Sequence, residues 1–391
     1  MEGRLSRMKT QRILVLTLSF GSGHLQAART VECELKRQLP LVEVRVLDAL
    51  AGCRLLFRAG YVWPYWAMLR YAPNLWDRFF QRRLARMDRQ TAPRWAFRLG
   101  CPQVFKTITD FKPDAIVATE VAAGEMAAIA KREGLTTARI TSVITDYEAE
   151  PVWVKPEVDA YAVADAYVRD QLSAWGENQA RIAICGIPTD LPFHTQHDEQ
   201  ATRARYAIYD EAPIVLIMGG GWGPTRMNEV AARLSVCGQP MHVIAVTGND
   251  GRAQHRLSRL RQIPPVSLRV LNWTDDIPAL MQAASVLVSK PGGLTTAEAA
   301  MCALPVVMFD AIPGPEQRNA ELITAVGAGV LTNGPRQAAA AALTLLRDPK
   351  LRRRMSANAG RFARPDAAQR IARLALGETQ PAQDTVRRMT A

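Results

Sequence analysis

The segment Ser289–Glu298 contains the residues whose types and spacing point most directly to chemistry. It reads Ser-Lys-Pro-Gly-Gly-Leu-Thr-Thr-Ala-Glu and follows the short apolar run Val286–Val288. Gly292 and Gly293 would expose backbone N–H groups where a helix begins, and such a position can bind a diphosphate. Thr295 would add a hydroxyl donor in the first turn.

Glu298 lies roughly one and a half turns into the predicted helix. Its carboxylate could accept hydrogen bonds from both hydroxyls of a ribose. The competing interpretation is structural, because acidic side chains are favoured near the start of a helix by its dipole.

A second polar set follows the apolar run that ends at Phe309. The Pro/Gly turn Ile312–Pro315 would bring Glu316 and Asn319 to the same strand-end face as Glu298. Polar groups in this place could fix the hydroxyls of a sugar. An ordinary turn followed by an acid in a first helical turn is the alternative.

Each half of the chain also begins with a strand, a glycine turn and a helix. The first turn is Gly21–Gly23 and the second is Gly219–Gly221, in which Gly220 and Gly221 could approach an anion. The third glycine of a dinucleotide fingerprint is missing, and so is a Walker lysine. Ordinary strand–helix turns of an α/β fold remain an alternative.

Three side chains of the first half would project from strand ends into the same cleft. Asp146 and Glu120 each end an apolar run, and His24 follows the first glycine turn. Direct inverting transfer of a sugar needs one general base, for which His24 and Asp146 are the candidates. No Asp-x-Asp pair is present to hold a diphosphate through a metal, so no metal and no further cofactor are expected.

The segment Cys53–Gly100 holds ten Arg and two acids, which is +8 of the net charge of +12, and eleven of the 26 aromatic residues. Arginine mixed with Trp and Tyr fits the headgroup level of an anionic membrane. Single-stranded nucleic acid and a purely structural helical hairpin are the alternatives. The candidates for acceptor and membrane contact are Trp63, Trp66, Arg70, Trp76, Arg82 and Arg83, together with Glu120 and Glu150.

Short, β-branched apolar runs alternate with helical stretches twice over, which is typical of parallel strands covered on both faces. The sequence therefore predicts an α/β architecture of two Rossmann-like doubly wound domains that face each other across a cleft. The predicted domains are 1–195 and 196–391, and the last helix is expected to pack back on the first domain.

No apolar stretch approaches the roughly 20 residues of a spanning helix. Any membrane contact is therefore expected to be peripheral, on the cytoplasmic face. The six scattered Cys fit a reducing compartment.

Several ordered blocks resemble the monogalactosyldiacylglycerol synthase and processive diacylglycerol glucosyltransferase group, which is related to the lipid II-forming N-acetylglucosaminyltransferase. They run from about residue 12 to 330. The blocks are Phe20–Ala28, Val143–Tyr147 with Trp153, Tyr161–Ala164, Gly186–Pro188, Met218–Gly221, Asn272–Asp275, Ser289–Glu298 and Ile312–Asn319.

The resemblance implies a GT-B fold, an inverting mechanism, a UDP-sugar donor and a membrane lipid acceptor such as diacylglycerol. Glu298 would then hold the ribose, while Gly292, Gly293 and Thr295 would contact the diphosphate. Trp273 and Thr274 would cover the uracil. Glu316 and Asn319 would face the sugar, and His24 and Asp146 would lie beside the reacting hydroxyl.

Three positions depart from the pattern of this family. Glu120 and Glu150 stand where its members commonly have His, and Pro315 replaces a Gln. The expected function is transfer of a hexose from a UDP-sugar to a lipid. The alternatives are an epimerase-like enzyme on a soluble nucleotide sugar, or a non-catalytic binder of nucleotide sugar or nucleic acid.

Overall fold

Two parallel sheets organise the chain in the computed structural model, which describes residues 11–220 and 225–378. Each sheet has six strands within these ranges. Every apolar run predicted as a strand coincides with an observed strand.

The first sheet has the strand order β2-β1-β3-β4-β5-β6. Alternate residues of its first strand enter different apolar clusters: Leu14 and Leu16 pack on one face, Ile13 and Val15 on the other. Both faces are therefore covered, which explains why the run is apolar without alternation. The strands are β1 (Arg12–Thr17), β2 (Glu43–Asp48), β3 (Ala115–Ala118), β4 (Arg139–Val143), β5 (Ala160–Val163) and β6 (Ile182–Ile184).

The second sheet repeats this design with the order β12-β11-β10-β7-β8-β9. Apolar clusters again cover both faces. Its strands are β7 (Ile214–Met218), β8 (Met241–Val246), β9 (Val266–Leu271), β10 (Val286–Ser289), β11 (Val306–Met308) and β12 (Gly329–Leu331).

Helices connect the strands and enclose the two sheets. Those of the first half are α1 (Ser22–Gln38), α2 (Leu55–Phe57), α3 (Trp63–Tyr71), α4 (Pro73–Arg86), α5 (Arg94–Gly100), α6 (Pro102–Phe111), α7 (Val121–Arg132) and α8 (Ala166–Ala174). Those of the second half are α9 (Glu199–Arg205), α10 (Met227–Leu234), α11 (Gly251–Leu257), α12 (Ile277–Ala283), α13 (Gly293–Met301), α14 (Pro315–Ala325), α15 (Pro335–Arg347), α16 (Pro349–Phe362) and α17 (Ala367–Ala375).

The basic, aromatic segment Cys53–Gly100 is helical, with α2 to α5 and a π-helical turn at Arg58–Val62. Prolines start two of its helices, because a first helical turn does not need the missing N–H. Phe80 and Phe97 are fully buried and attach the segment to the rest of the molecule.

The chain crosses between the two domains twice. The first crossing follows β6, and the second lies between α16 and α17, whose Ile371 and Ala372 enter the core of the first domain beside α1. The crossings touch each other, because a Cβ on Gly186 would lie 2.7 Å from Cβ of Arg364. Gly186 has a φ of +91°, so glycine is required there for backbone conformation as well as for space.

Candidate functional site

A cavity of about 770 Å³ lies between the domains, at the carboxyl ends of both sets of strands. Ligands of doubly wound sheets bind at this edge. The cavity is lined from the first domain by His24, Glu120, Asp146 and Glu150, and from the second by Gly220, Trp273, Thr274, Gly292, Gly293, Thr295, Glu298 and Glu316.

Helix α13 begins at Gly293 and directs its N-terminus toward the cavity. A Cβ on Gly292 would lie 3.9 Å from the nearest atoms, so this glycine borders open space. Thr295 lines the cavity. Thr296, the neighbouring hydroxyl of the sequence motif, is buried and donates to the carbonyl of Gly293 at 2.8 Å. One of the two threonine hydroxyls is therefore directed to the helix itself rather than to a ligand.

Glu298 is 8% exposed and lines the cavity. It is the sixth residue of α13, whose first turn contains no acid, so the helix dipole does not explain it. No donor among the described residues hydrogen-bonds its carboxylate, and burial, with Asp190 nearby, raises its pKa to about 8. A buried carboxyl without a protein partner is a candidate for ligand recognition.

Lys290 is a cation of the cleft that the sequence reasoning did not assign. It is 7% exposed, lines the cavity, and its Nζ lies 3.5 Å from Oε1 of Glu316. Its Cε would lie 3.7 Å from a Cβ on Gly220, so it passes directly beside the second glycine turn. Its position in the sequence, between β10 and the Pro-Gly-Gly turn, could have identified it as a residue of the cleft.

The predicted uracil contacts border the same cavity. Trp273 is half exposed in the loop after β9, and Thr274 accepts a hydrogen bond from the amide of Asp276. Gly220 has a φ of +74°, which favours glycine. Gly221 lies outside the described residues.

Glu316 and Asn319 differ in what they contact. Glu316 lines the cavity, and its Oε2 accepts from the amide of Ile312 at 2.8 Å. Asn319 is 0% exposed, and its side chain bonds to Asp146, Tyr147 and Pro291. The expectation that Asn319 faces the sugar is wrong, because its amide group is occupied at the contact between the domains.

His24 has the geometry of a general base. Its Nδ1 lies 3.0 Å from the carbonyl oxygen of Thr119, which can only accept, so the neutral ring carries its proton on Nδ1 and leaves Nε2 unprotonated. Burial lowers the pKa of His24, while the negative charge of Asp146 acts in the opposite direction. A neutral imidazole with a free Nε2 can accept a proton at neutral pH.

The second strand-end acid of the first domain has a structural role. Glu120 caps α7, and its Oε2 accepts from the amides of Ala122 and Ala123. Burial raises the pKa of Glu120 to about 8. One carboxyl oxygen of this cavity-lining residue is thus fixed by the helix that it caps.

Glu150 is paired with Arg83 of the helical segment. Nη2 of Arg83 lies 2.9 Å from Oε2 of Glu150, but neither atom has a hydrogen bond of good geometry within residues 11–220 and 225–378. Burial raises the pKa of Glu150. Arg83 therefore lines the wall of the cleft, so of the two contacts predicted for it, the acceptor and the membrane, its position favours the acceptor.

Aromatic rings form the side of the cleft that the helical segment provides. Ring centroids lie 4.9 Å apart both for Phe20 and Tyr65 and for Tyr65 and Trp76. Trp76 is 8% exposed and donates its Nε1–H to the carbonyl of Pro313, and Trp66 packs against the core. Both indoles line the cavity, so of the two predicted contacts their position favours the acceptor over the membrane.

The outer face of the same segment is apolar and basic. Trp63 is 54% and Trp95 is 65% exposed, and Arg70 and Arg82 are exposed as well. Of fifteen large hydrophobic side chains that are exposed in the described ranges, nine lie in this segment. A purely structural hairpin would bury them, so the outer face resembles an interaction surface.

The described residues form neither a metal-binding cluster nor a membrane-spanning helix. They contain no group of three or more His, Cys, Asp or Glu that could hold a metal ion. None of the helices in residues 11–220 and 225–378 combines the length and apolar character needed to cross a bilayer.

The two domains are similar to two different family models. Residues 24–189 match the family model "Monogalactosyldiacylglycerol (MGDG) synthase", and residues 223–362 match "Glycosyl transferases group 1". The processive diacylglycerol beta-glucosyltransferase of Bacillus licheniformis is 25% identical over 89% of this chain and 90% of that protein. The Bacillus cereus protein of the same name is 25% identical over 95% of both chains. The resemblance inferred from the sequence blocks is confirmed.

Solved structures show the same fold at low identity. MurG of Acinetobacter baumannii has a TM-score of 0.61 and 16% identity over 94% of this chain and 99% of that one. Anabaena HepE in complex with UDP and glucose has a TM-score of 0.57 and 16% identity, covering 94% of this chain and 100% of the other. The predicted GT-B arrangement of two Rossmann-like domains is confirmed.

Proposed function

We propose that this chain, whose two domains match the monogalactosyldiacylglycerol synthase family and the group 1 glycosyltransferases, is an inverting glycosyltransferase. It moves a hexose from a UDP-sugar to a membrane lipid such as diacylglycerol and forms a glycolipid. The named relatives are diacylglycerol glucosyltransferases, and a solved neighbour binds UDP and glucose, which supports this donor and this acceptor.

The observation that carries the proposal is the pairing of two unusual groups across one cavity. Glu298, on the proposed donor side, is a buried carboxyl without a hydrogen-bond partner among the described residues. His24 is an imidazole with a free Nε2 and a lowered pKa on the other side. A nucleotide sugar bound to the first would present its anomeric carbon toward the second.

In the proposed reaction, Nε2 of His24 takes the proton of the acceptor hydroxyl. The hydroxyl oxygen forms a bond to the anomeric carbon, and the bond from that carbon to the β-phosphate oxygen breaks with inversion. The electron pair leaves with UDP. Asp146 stabilises the imidazolium that forms, since its charge favours the protonated ring.

The leaving diphosphate needs charge stabilisation, which the donor domain supplies from its own groups. Lys290 provides a buried ammonium, and the amides at the start of α13 provide helix N-terminal donors. Trp273 covers the uracil. Water is excluded from the donor when the cleft is closed around both substrates.

Membrane attachment is proposed for the outer face of Cys53–Gly100. Trp63, Trp95 and the exposed leucines of α2 would enter the headgroup level on the cytoplasmic side, while Arg70 and Arg82 meet anionic lipid. The aromatic wall formed by Tyr65 and Trp76 would accept the apolar part of the acceptor on its way to His24.

The transfer is tested by incubating the protein with a panel of UDP-sugars and a total lipid extract, followed by mass spectrometry of the lipids. One UDP-sugar should yield a lipid heavier by one hexose. A soluble nucleotide-sugar product with no labelled lipid would instead support an epimerase-like enzyme. UDP binding without any product would support a non-catalytic binder.

Surface attachment is tested by co-sedimentation with anionic and zwitterionic vesicles. Replacing Trp63 and Trp95 by Ser should weaken binding to anionic vesicles, and added salt should weaken it further. Tyr209 is the matched control, because it is 84% exposed but lies outside the segment. Equal loss of binding in the Tyr209→Ser protein would contradict the assignment of this surface.

A further inference from the structure

Asn319 lies on α14 of the donor domain but makes most of its hydrogen bonds to the other domain. Its Nδ2 donates to Oδ1 of Asp146 at 2.9 Å and to the carbonyl of Pro291 at 3.0 Å. Its Oδ1 accepts from the amide of Tyr147 at 2.9 Å. Two of these three bonds reach the loop that follows β4, which carries Asp146.

The surrounding packing is close enough to make this contact specific. A Cβ on Gly293 would lie 2.0 Å from the carbonyl oxygen of Thr145 and 2.8 Å from Oδ1 of Asp146, so only glycine fits. Next to it, Tyr147 packs with Leu294 and Ala297 in an apolar cluster shared by the two domains. The start of α13 is thus pressed against the loop of the first domain.

We propose that Asn319 is a positioning residue that orients Asp146 for catalysis only while the donor domain is closed on the acceptor domain. The inference rests on the transferase proposed above. By holding Oδ1, the amide leaves Oδ2 of Asp146 to act on His24 or on the acceptor. Closure around a nucleotide sugar would therefore complete the basic group at the same moment that it excludes water.

An amide is the side chain that this place requires. Both N–H groups of Asn319 are donated and its oxygen accepts, and the residue is 0% exposed. A carboxylate of the same shape would keep the bond from Tyr147 but would face Asp146 and Pro291 with oxygen lone pairs. A buried donor or acceptor left without a partner is costly, so substitution acts directly on this contact.

Loss of the donated bond should also change the pH dependence of the reaction. The negative charge of Asp146 opposes the burial that lowers the pKa of His24. Removing the amide that donates to Asp146 leaves more of this charge to act on His24, so the acidic limb of the rate profile moves to higher pH. The other titratable groups that act on Asp146 remain in place in such a variant. They are His24, Tyr65, Tyr147, Glu148 and Glu150.

The kinetic experiment compares Asn319→Asp and Asn319→Ala with Thr324→Ala. Thr324 is exposed on the same helix, and its hydroxyl donates to the carbonyl of Ala320 one turn earlier, which makes it the control. We expect kcat to fall about 10- to 100-fold in both Asn319 variants, with the KM for the donor within about twofold. A uniform loss at every pH, without a shift of the acidic limb, would overturn the positioning role.

A second measurement does not depend on catalysis. Hydrogen exchange at the Tyr147 amide should be slowed by UDP in the unsubstituted protein, and much less so in Asn319→Ala. If exchange at this amide is the same in both, the contact between the domains is not as described, and the inference is overturned. If the exchange result holds but no lipid is ever glycosylated, the transferase proposal fails on its own.

Discussion

The two sides of the cleft are built in different ways. On the side where we propose that the donor binds, Lys290, Gly292, Thr295 and Glu298 come from one continuous stretch of ten residues at the end of one strand. On the acceptor side, the cavity is lined by residues from separate elements, and several of them are also committed to structural bonds. Glu120 caps a helix, and Glu150 pairs with Arg83 from a different part of the chain.

The difference teaches which groups are free to act on a ligand. Glu298 has a buried carboxyl that no described group satisfies, whereas the acids of the acceptor side are partly satisfied by the protein. We therefore expect donor-side substitutions to act on nucleotide binding or leaving-group stabilisation. Acceptor-side substitutions should act on proton transfer and on the lipid.

The largest effect is expected for His24. Replacing it by Gln removes the base but keeps a polar side chain, so kcat should fall by about 10²- to 10⁴-fold. UDP affinity, measured by calorimetry, should stay within about twofold because the ring lies across the cleft. A large loss of UDP affinity would break the separation of the two sides.

Next in size is the effect of Lys290. Changing it to Met removes the ammonium beside the leaving diphosphate, and we expect kcat to fall about 100-fold, as for loss of one stabilising donor. Steady-state kinetics with saturating donor would measure it. Arg226 is the control. It is a cation of the same domain and pairs with Asp310, but it does not line the cavity. Equal losses in Arg226→Met and Lys290→Met would contradict the assigned role.

A smaller effect is expected at the pair Arg83–Glu150. Arg83→Met should raise the KM for the lipid acceptor about tenfold, because one polar contact of the cleft wall is lost. The donor KM should not change. A protein in which both residues are apolar should unfold at a higher temperature than Arg83→Met, because the single change leaves the carboxylate of Glu150 unpaired. Thermal unfolding of the two proteins tests this second point.

The smallest expected effect is the release of a proton from Glu298 when UDP binds. With a pKa of about 8, Glu298 is mostly protonated at pH 7 in the empty cleft. Ribose hydroxyls that donate to the carboxylate favour its charged form, so UDP binding should release a larger fraction of a proton at pH 7 than at pH 9, where at most about a tenth of a proton remains to be released. Calorimetry in buffers of different ionisation enthalpy measures this release. Glu298→Gln should abolish it, and an unchanged value would disprove the ribose contact.

The same contrast explains what the sequence could predict. The strands were recognisable because buried parallel strands need apolar side chains on both faces, as in β1. The donor residues were recognisable because a turn and one helix position them locally.

Long-range partners were not predictable in this way. Asn319 meets Asp146 across 173 positions, and Arg83 meets Glu150 only through the docking of a helical segment. Trp66 and Trp76 lie in the same Arg-rich and aromatic segment as Trp63. Only tertiary packing decides which of the three indoles is buried.

The two neighbouring crossings at Gly186 and Arg364 have a mechanical consequence. A single connection would let one domain rotate about any axis, whereas two connections in contact define one hinge axis. Opening is then confined to swinging about one line, and sideways sliding is suppressed. Closure of the domains about this axis would bring Asn319 to the same carboxylate each time. The hinge would therefore set the alignment of the reacting groups.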